Sequence, residues 1–575
     1  MADSHRPAVR VGRLPPREST RAPLPVRAPR AIDDGVWQSA QELAGRLGAS
    51  NLTETQRRIL SASLSGHDVL ACLAAGGGKS TSGALAAALC DGVAVVLSPS
   101  ARLAREQQAR LEHRRLPCVR LDPNASEAEQ SKICSELAKD SSLLLLSTPG
   151  ALAGAPRVRE ALRKRGVTLC VLEEAQALAE ASDAVCPSLA VWRRLLTELG
   201  RPRVLALLSP STFAVRRQVQ EYLELSEPAV IEGGPIRDNV ILEFHRLTGD
   251  ARKRAFSGLL QSLRRPGLVL AQTPREVEEV YGLLAAARIP AHRYHAELSP
   301  AERLGEQLNF MLPGRKTVMV AQSAFAPSTG VAGIDDERLL DGAPRGFGLG
   351  LDKRDLRFLV HWGAPATVEQ LVREVGAVGR DGDEARAIVY CDEGDSNRNG
   401  ALLMRYRLHP PHASNVADAL DGQALESRRT TVEALALETG LSLSTLESWG
   451  AVFEAAGVLR VHAGWVEALV SMRDVAECAT EVASRLWRLQ REDSRRLSAM
   501  RDVMLDSGCP RAAVERALGS RSTPCGRCAN CRRGLPAAPV RRPAAQTFSI
   551  THADAEPERA PALSAKVSEL AFGRS

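Results

Sequence analysis

Aromatic residues are scarce in this chain, at 4% of 575 residues, which limits base or ring stacking as a mode of binding. Long apolar runs are also missing: no stretch reaches the roughly 20 residues that a membrane-crossing helix needs. Nothing near Met1 has the charged, apolar and small-residue succession of a secretory signal. The protein is therefore expected to be soluble and cytoplasmic, nucleoid-associated if the source is bacterial, with no membrane partner. Most of the twelve cysteines, such as Cys72, Cys90 and Cys170, stand singly in apolar surroundings. Reduced core thiols are the default there, and a disulfide framework is disfavoured. Excess charge is small, and a net charge of +7 permits nucleic-acid binding without demanding it. A chain of this length has room for several domains with sizeable cores.

What is present is concentrated in the stretch VLACLAAGGGKST, Val69 to Thr81. A short apolar run, read as a buried strand, breaks into Gly76, Gly77 and Gly78, which let the backbone turn so that N–H groups converge on one point. The small-residue helix that follows aims its positive dipole end at the same point. In such a phosphate-binding loop Lys79 reaches the β- and γ-phosphates and the Ser80 hydroxyl holds magnesium, with Thr81 beside it. ATP and Mg2+ are the cofactors this predicts.

Around the loop the chain changes character several times. Residues 1–34 carry Arg6, Arg10, Arg13, Arg17, Arg21, Arg27 and Arg30 among prolines, a composition that cannot bury a core and reads as a disordered tail. From 35 to 225 short apolar runs such as VAVVLSP, LLLLSTP, TLCVLEE and RVLALLSP alternate with helical stretches. A second series, LVLAQT, TVMVAQS, RFLVHW and AIVYC, lies between 226 and 398. Both predict parallel sheets covered on two faces, with functional residues at the carboxyl ends of the strands. Residues 399–480 read as helix, turn at Gly440, second helix and strand pair, a winged-helix layout. Its second helix contains Glu447 and Glu454 and no lysine or arginine, which argues against base reading in a major groove. A structural role and duplex contact through Arg460 and His462 both remain open. Residues 481–535 begin with a helix bearing Arg485, Arg488, Arg491, Arg495, Arg496 and Arg501, either a phosphate-contacting or a solvated face. Cys509 follows, and CGRCANC then supplies Cys525, Cys528 and Cys531. Four thiols with two two-residue spacings fit tetrahedral structural zinc, Zn2+. Residues 536–575 read as a second disordered tail.

The order of landmarks resembles RecQ-family DNA helicases of superfamily 2 over about residues 45–395 and again over 485–535. AAGGGKS looks like the superfamily 2 variant of the phosphate loop. Gln56 falls where that family's adenine-reading glutamine lies. LSPSARLAREQ, with Ser98, and STPGAL, with Ser147 and Thr148, resemble segments that contact nucleic-acid backbone, and YHAEL, with Tyr294 and His295, is close to the family's YHAGL. LEEAQ, Glu173 to Gln176 after Leu172, stands where the family has its DEAH box, and Ser209 to Ser211 stand in place of the motif coupling hydrolysis to domain movement. GFGLGLDKRDLRFLVH and QLVREVGAVGRDG match the fifth and sixth motifs.

The resemblance implies an α/β fold: two tandem RecA-like motor domains, then a winged-helix-like domain and a small helical zinc-binding module. It implies an ATP-dependent helicase or translocase on single-stranded or forked DNA, with 3′ to 5′ polarity and a role in repair or recombination. Lys79, Glu173, Glu174 and Arg380 would be catalytic, with Ser80 and Glu173 on magnesium. Departures from the family pattern temper this. Glu173 replaces an aspartate, Gln176 replaces a histidine, and Gly376 to Arg380 retain one arginine where the family has two, Arg373 being the candidate substitute. The loop after the carboxylates lacks aromatic residues before Trp192, and residues 327–345 interrupt the fifth motif. The competing expectations are an ATP-binding DNA clamp with little unwinding and, third, an RNA helicase. A monomer is the default, and protein partners are not specified.

Overall fold

The structure, a computed structural model, describes residues 34–47, 51–74, 76–98, 101–139, 141–176, 195–323, 353–406, 408–423, 429–455, 458–462, 464–520 and 522–534. The expectations for the two tails, for the aromatic-poor loop and for the 327–345 insertion lie outside these residues. All described elements fall within one unit, Met1–Ala537.

The first sheet is built from β1 (Val69–Cys72), β2 (Val93–Leu97), β3 (Cys118–Leu121), β4 (Leu143–Ser147), β5 (Val167–Leu172), β6 (Arg203–Leu208) and β7 (Ala229–Glu232). Their order is β3-β4-β2-β5-β6-β1-β7, and every pairing is parallel. Side chains alternate across a strand, so a sheet covered on both faces needs apolar residues at consecutive positions. β1 shows this directly: Leu70 and Cys72 enter the core on one face, Val69 and Ala71 the core on the other.

The second sheet comprises β8 (Val240–Arg246), β9 (Gly267–Ala271), β10 (Ala291–Tyr294), β11 (Val318–Gln322), β12 (Phe358–His361) and β13 (Ala385–Cys391). Its order is β10-β11-β9-β12-β13-β8, again parallel throughout. Several helices covering the two sheets start with their own side-chain caps. Thr53, Ser126, Thr273 and Ser299 each form a capping box with a Glu or Gln three residues on.

A third, antiparallel sheet of β14 (Arg429–Thr431), β15 (Leu459–His462) and β16 (Trp465–Ala468) packs with helices Val432–Thr439 and Leu443–Ala455. Helix Leu443–Ala455 turns inward, burying Trp449 and Phe453, whose rings stack at 5.7 Å. Its Glu454 accepts the Val461 N–H at 3.1 Å, so that acid holds β15.

Helix Met472–Leu505 ties this unit to the second sheet. Its Val475, Cys478, Ala479, Val482 and Leu486 complete the core around Trp449. Its Met500, Val503 and Met504 pack under the second sheet. One continuous helix thus serves two hydrophobic cores, crossing residue 480 without a break.

Candidate functional site

The phosphate loop follows β1, an interior strand of the first sheet, and its neighbours in the site come from the carboxyl ends of β2, β5 and β6. Gly76 and Gly78 have φ of 74° and 87°, a left-handed backbone open to glycine without strain. Gly77 N–H closes the turn on the Ala74 carbonyl at 2.9 Å. Helix Lys79–Leu89, which carries Ser80 and Thr81 in its first turn, starts at Gly78 with no side-chain cap. Its first N–H groups therefore remain available to an anion. Gln56 is buried, and its amide carbonyl accepts the Thr53 N–H at 2.9 Å. Its Nε2 lies against the Cα of Gly78, so it braces the loop from below.

The carboxylate pair is divided between two environments. Glu173 is 8% exposed and accepts hydrogen bonds from Ser98 Oγ at 2.8 Å and from Gln107 Nε2. Burial pushes its carboxyl above the usual carboxylate range, against hydrogen bonds from Ser98, Gln107 and Ser80. The contact with Ser80 joins the two hard-oxygen groups assigned to magnesium, and their chemistry fits that ion. Glu174 has φ 48° and faces the other way. Its Oε1 lies 2.8 Å from Lys79 Nζ, and its Oε2 accepts from Gln176 Nε2 at 2.6 Å and Ser209 Oγ at 2.7 Å. Burial opposes ionisation of Glu174, but the charge of Lys79 and these hydrogen bonds outweigh it, and the carboxyl is held below its ordinary range. Gln176 Oε1 in turn accepts the Ser209 N–H at 3.0 Å. The glutamine therefore links the carboxylate to the end of β6, all within the first sheet's own loops.

Across the cleft, the segment Gly376–Arg380 follows helix Val368–Val375 of the second sheet. Arg380 comes against the loop: its Cγ lies 3.3 Å from where a Cβ on Gly76 would stand. Its Nε donates to its own Gly376 carbonyl at 3.1 Å. Ala377 is buried in the core of the second sheet.

The comparisons bear on this geometry. The DEAD/DEAH box helicase family model matches residues 53–214. A probable ATP-dependent DNA helicase RecS of Bacillus subtilis strain 168 is 27% identical over 66% of this chain and 71% of its own length. The ATP-dependent DNA helicase RecQ of Synechocystis sp. PCC 6803 is 27% identical over 62% of this chain and 71% of its length. The chain carries a DEAD/DEAH box helicase domain and is similar to RecQ-family DNA helicases. The RecQ-like DNA helicase blm-1 of Caenorhabditis elegans is 25% identical over 62% of this chain but 35% of its own length. Among solved structures, S. cerevisiae Dbp5 bound to RNA and ADP BeF3 is similar at 16% identity and a TM-score of 0.44, covering 64% of this chain and 90% of that one.

In this RecQ-like chain the side chains expected at nucleic acid are engaged with protein groups. Ser98 is fully buried and holds Glu173. Ser147 is also fully buried, its hydroxyl donating to the Leu121 and Thr148 carbonyls. Thr148 caps helix Pro149–Gly154 through Ala151 N–H. His295 is 4% exposed, with Nε2 2.8 Å from Glu278 Oε1. These four side chains face protein because they lie at strand ends, where loop N–H and carboxylate groups need partners. Tyr294 is half-buried against the core of the second sheet.

The four grouped cysteines do meet. Cys509, Cys525, Cys528 and Cys531 place their sulfurs within 4.8 Å of one another, with Cys525–Cys531 at 3.9 Å and Cys528–Cys509 at 4.0 Å. Four sulfurs about 2.3 Å from a tetrahedral zinc would be about 3.8 Å apart, so the donor set fits that ion. The backbone N–H groups of Arg527 and Cys528 help draw the Cys525 thiol down to about 7, against the effect of burial.

Two groups at the site escaped sequence reasoning. Gln107, on helix Ala101–His113, reaches Glu173. Arg237, preceding β8, lies against Gly76. Gln107 closes the LSPSARLAREQ segment, whose resemblance points to nucleic-acid backbone and not to the carboxylate, and Arg237 sits in no run of chemistry-bearing residues.

Proposed function

We propose that the protein uses ATP hydrolysis to move along or unwind DNA, as a 3′ to 5′ translocase on single-stranded or forked substrates, in repair or recombination. One observation carries the reading. The loop with Lys79 and Ser80, the pair Glu173 and Glu174, and Arg380 from the second sheet converge on one cleft.

In the proposed cycle the uncapped helix and the loop N–H groups cradle the phosphates, and Lys79 leaves Glu174 to engage them. Glu174, so released, orients the attacking water, while Lys79 and Arg380 stabilise charge developing on the transferred group. Magnesium held by Ser80 and Glu173 would neutralise the β- and γ-phosphate oxygens. Gln56, packed on Gly78, is placed to sense the nucleotide base through the loop it braces. Zinc at the four cysteines would fix the small helical module to the second sheet.

A second reading, an ATP-binding DNA clamp with slow turnover, draws on the burial of Ala377, which leaves Arg380 as the one arginine that the Gly376–Arg380 segment offers the cleft. ATP turnover measured with single-stranded DNA, duplex DNA, RNA or no nucleic acid, beside Lys79→Ala and Glu174→Gln, separates these. DNA-stimulated turnover lost in both variants, together with displacement of a strand from a 3′-tailed duplex, is the motor's result. Equal turnover in all three proteins sinks it, and stimulation by RNA alone reassigns the substrate.

A further inference from the structure

Two arginines, not one, come to the phosphate loop. Arg237 lies in the segment leading into β8, and its Nη1 would be 2.6 Å from a Cβ placed on Gly76, closer than any atom of Arg380. Its other terminal nitrogen, Nη2, donates to the carbonyls of Gly376, at 3.2 Å, and Val378. The guanidinium is thus fixed to the same backbone that carries Arg380 and turned toward the loop. The segment is held firmly around it. Asn239 Nδ2 donates to the carbonyls of Gly379, at 2.8 Å, and Asp383, at 2.6 Å. Asp238 is gripped from the cysteine module, its carboxylate by Arg511 at 2.7 Å and its carbonyl by Arg527 at 2.5 Å. By contrast Arg373, the candidate from sequence, is exposed on its helix.

We propose that Arg237 is a second arginine of the phosphate site, contacting the terminal phosphate of bound ATP from the second sheet's side of the cleft. Two guanidinium groups close to the loop's N–H donors, with Asp381 the acid that acts on Arg237, make a cationic setting that suits the charge of a triphosphate. In keeping with this, burial and then the like charge of Arg380 bring the Arg237 guanidinium down to about 10. A planar fork fixed by two carbonyls is already held in one orientation, so ordering it on the ligand costs little further entropy. The contact comes from outside the first sheet, so it selects the phosphate farthest from the loop. It therefore distinguishes triphosphate from diphosphate.

The assignment rests on the ATP-hydrolysing reading above, and the test keeps the two apart. The full chain and its Arg237→Ala, Arg237→Lys, Asn239→Ala and Lys79→Ala variants are compared for binding of Mg–AMP-PNP and Mg–ADP, for ATP turnover and for thermal unfolding. Arg237→Ala is expected to weaken AMP-PNP at least tenfold, to leave ADP within threefold, and to lower kcat by about a hundredfold or more. Arg237→Lys should recover part of the AMP-PNP affinity and less of kcat, because a point charge replaces the fork. Asn239→Ala loosens the same backbone without removing charge and should shift the AMP-PNP to ADP ratio by less than threefold. An unchanged ratio in Arg237→Ala with binding lost in Lys79→Ala overturns the Arg237 assignment alone. An equal shift in Asn239→Ala and Arg237→Ala overturns it too, since Arg237 would then act only as a backbone clip. Native AMP-PNP affinity in Lys79→Ala overturns both the assignment and the nucleotide site beneath it.

Discussion

Replacing Glu174 by glutamine should tighten nucleotide binding while removing hydrolysis. In the structure Lys79 Nζ lies 2.8 Å from Glu174 Oε1 and also hydrogen-bonds Ser209 Oγ, so the ammonium that a triphosphate must recruit is already engaged. Two unit charges at that separation attract by about 6 kcal/mol at an effective dielectric constant of about 20. Much of this is screened, because the Glu174 side chain is 34% exposed along the cleft. A charge-assisted hydrogen bond in such a setting has a net worth of about 1–2 kcal/mol. That is the cost ATP bears in freeing Lys79, and relieving it predicts a Kd lower by about 5- to 30-fold in Glu174→Gln. Glu174 is held below the ordinary carboxylate range by Lys79 and its hydrogen bonds, which outweigh burial. It is therefore ionised throughout pH 6–8, and the gain should be constant there and shrink with added salt. Calorimetric titration with Mg–AMP-PNP, set beside steady-state turnover, reads both effects. An unchanged or weaker Kd in Glu174→Gln would refute the reasoning, since the pair would then not compete with phosphate.

Three further expectations concern the frame around the site. Arg386 Nη2 donates to Glu243 at 2.7 Å and His245 lies at 3.7 Å; burial opposes them, yet they bring the Glu243 carboxyl down to about 2. A depressed carboxylate stabilises the fold above its ordinary range and loses that contribution as pH falls from about 4.5 to about 2. Glu243→Gln should thus cost about 1–2 kcal/mol at pH 7 after solvent screening, with the gap to the parent closing below pH 4.5 in denaturant melts; a gap independent of pH contradicts the assignment. A Cβ on Gly267 would clash with the edge of the Phe358 ring, at its Cε1 and Cζ carbons, and that ring is 1% exposed, so Gly267→Ala should destabilise by about 1–3 kcal/mol or more. Adding Phe358→Leu should recover part of that loss, whereas simple additivity would argue that no clash exists. Purified protein should carry one zinc per chain by elemental analysis, lost in Cys528→Ser together with several degrees of melting temperature; native melting after complete metal removal counts against a structural metal.

The strands that sequence made visible share one property. Every interior strand of both parallel sheets holds a run of consecutive apolar residues, with polar ones such as Arg203, Gln322 and His361 near the strand ends, because burial on two faces favours apolar side chains at successive positions. The four strands that the pattern missed, β3, β7, β8 and β10, are the four sheet edges. With one flank unpaired they mix apolar positions with Arg120, Glu232, Glu243 and Arg293, and the alternation signal dissolves. The same distinction runs through the site. Lys79, Ser80 and the glutamate pair are legible because contiguous spacing on one loop dictates their geometry. Their supports are not, since Gln107 meets Glu173 and Ser209 meets Glu174 across 66 and 35 residues of chain. A resemblance marks where a residue stands in the chain and is silent on which way its side chain turns. Ser98, Ser147 and His295 matched by position and point inward, while Arg237 matched nothing noticed and points at the loop. The cleft is therefore assembled less by its motifs than by the polar contacts that aim them. Changes to Gln107, Ser209 or Arg237 should alter turnover as much as changes to the loop and the glutamate pair that they aim.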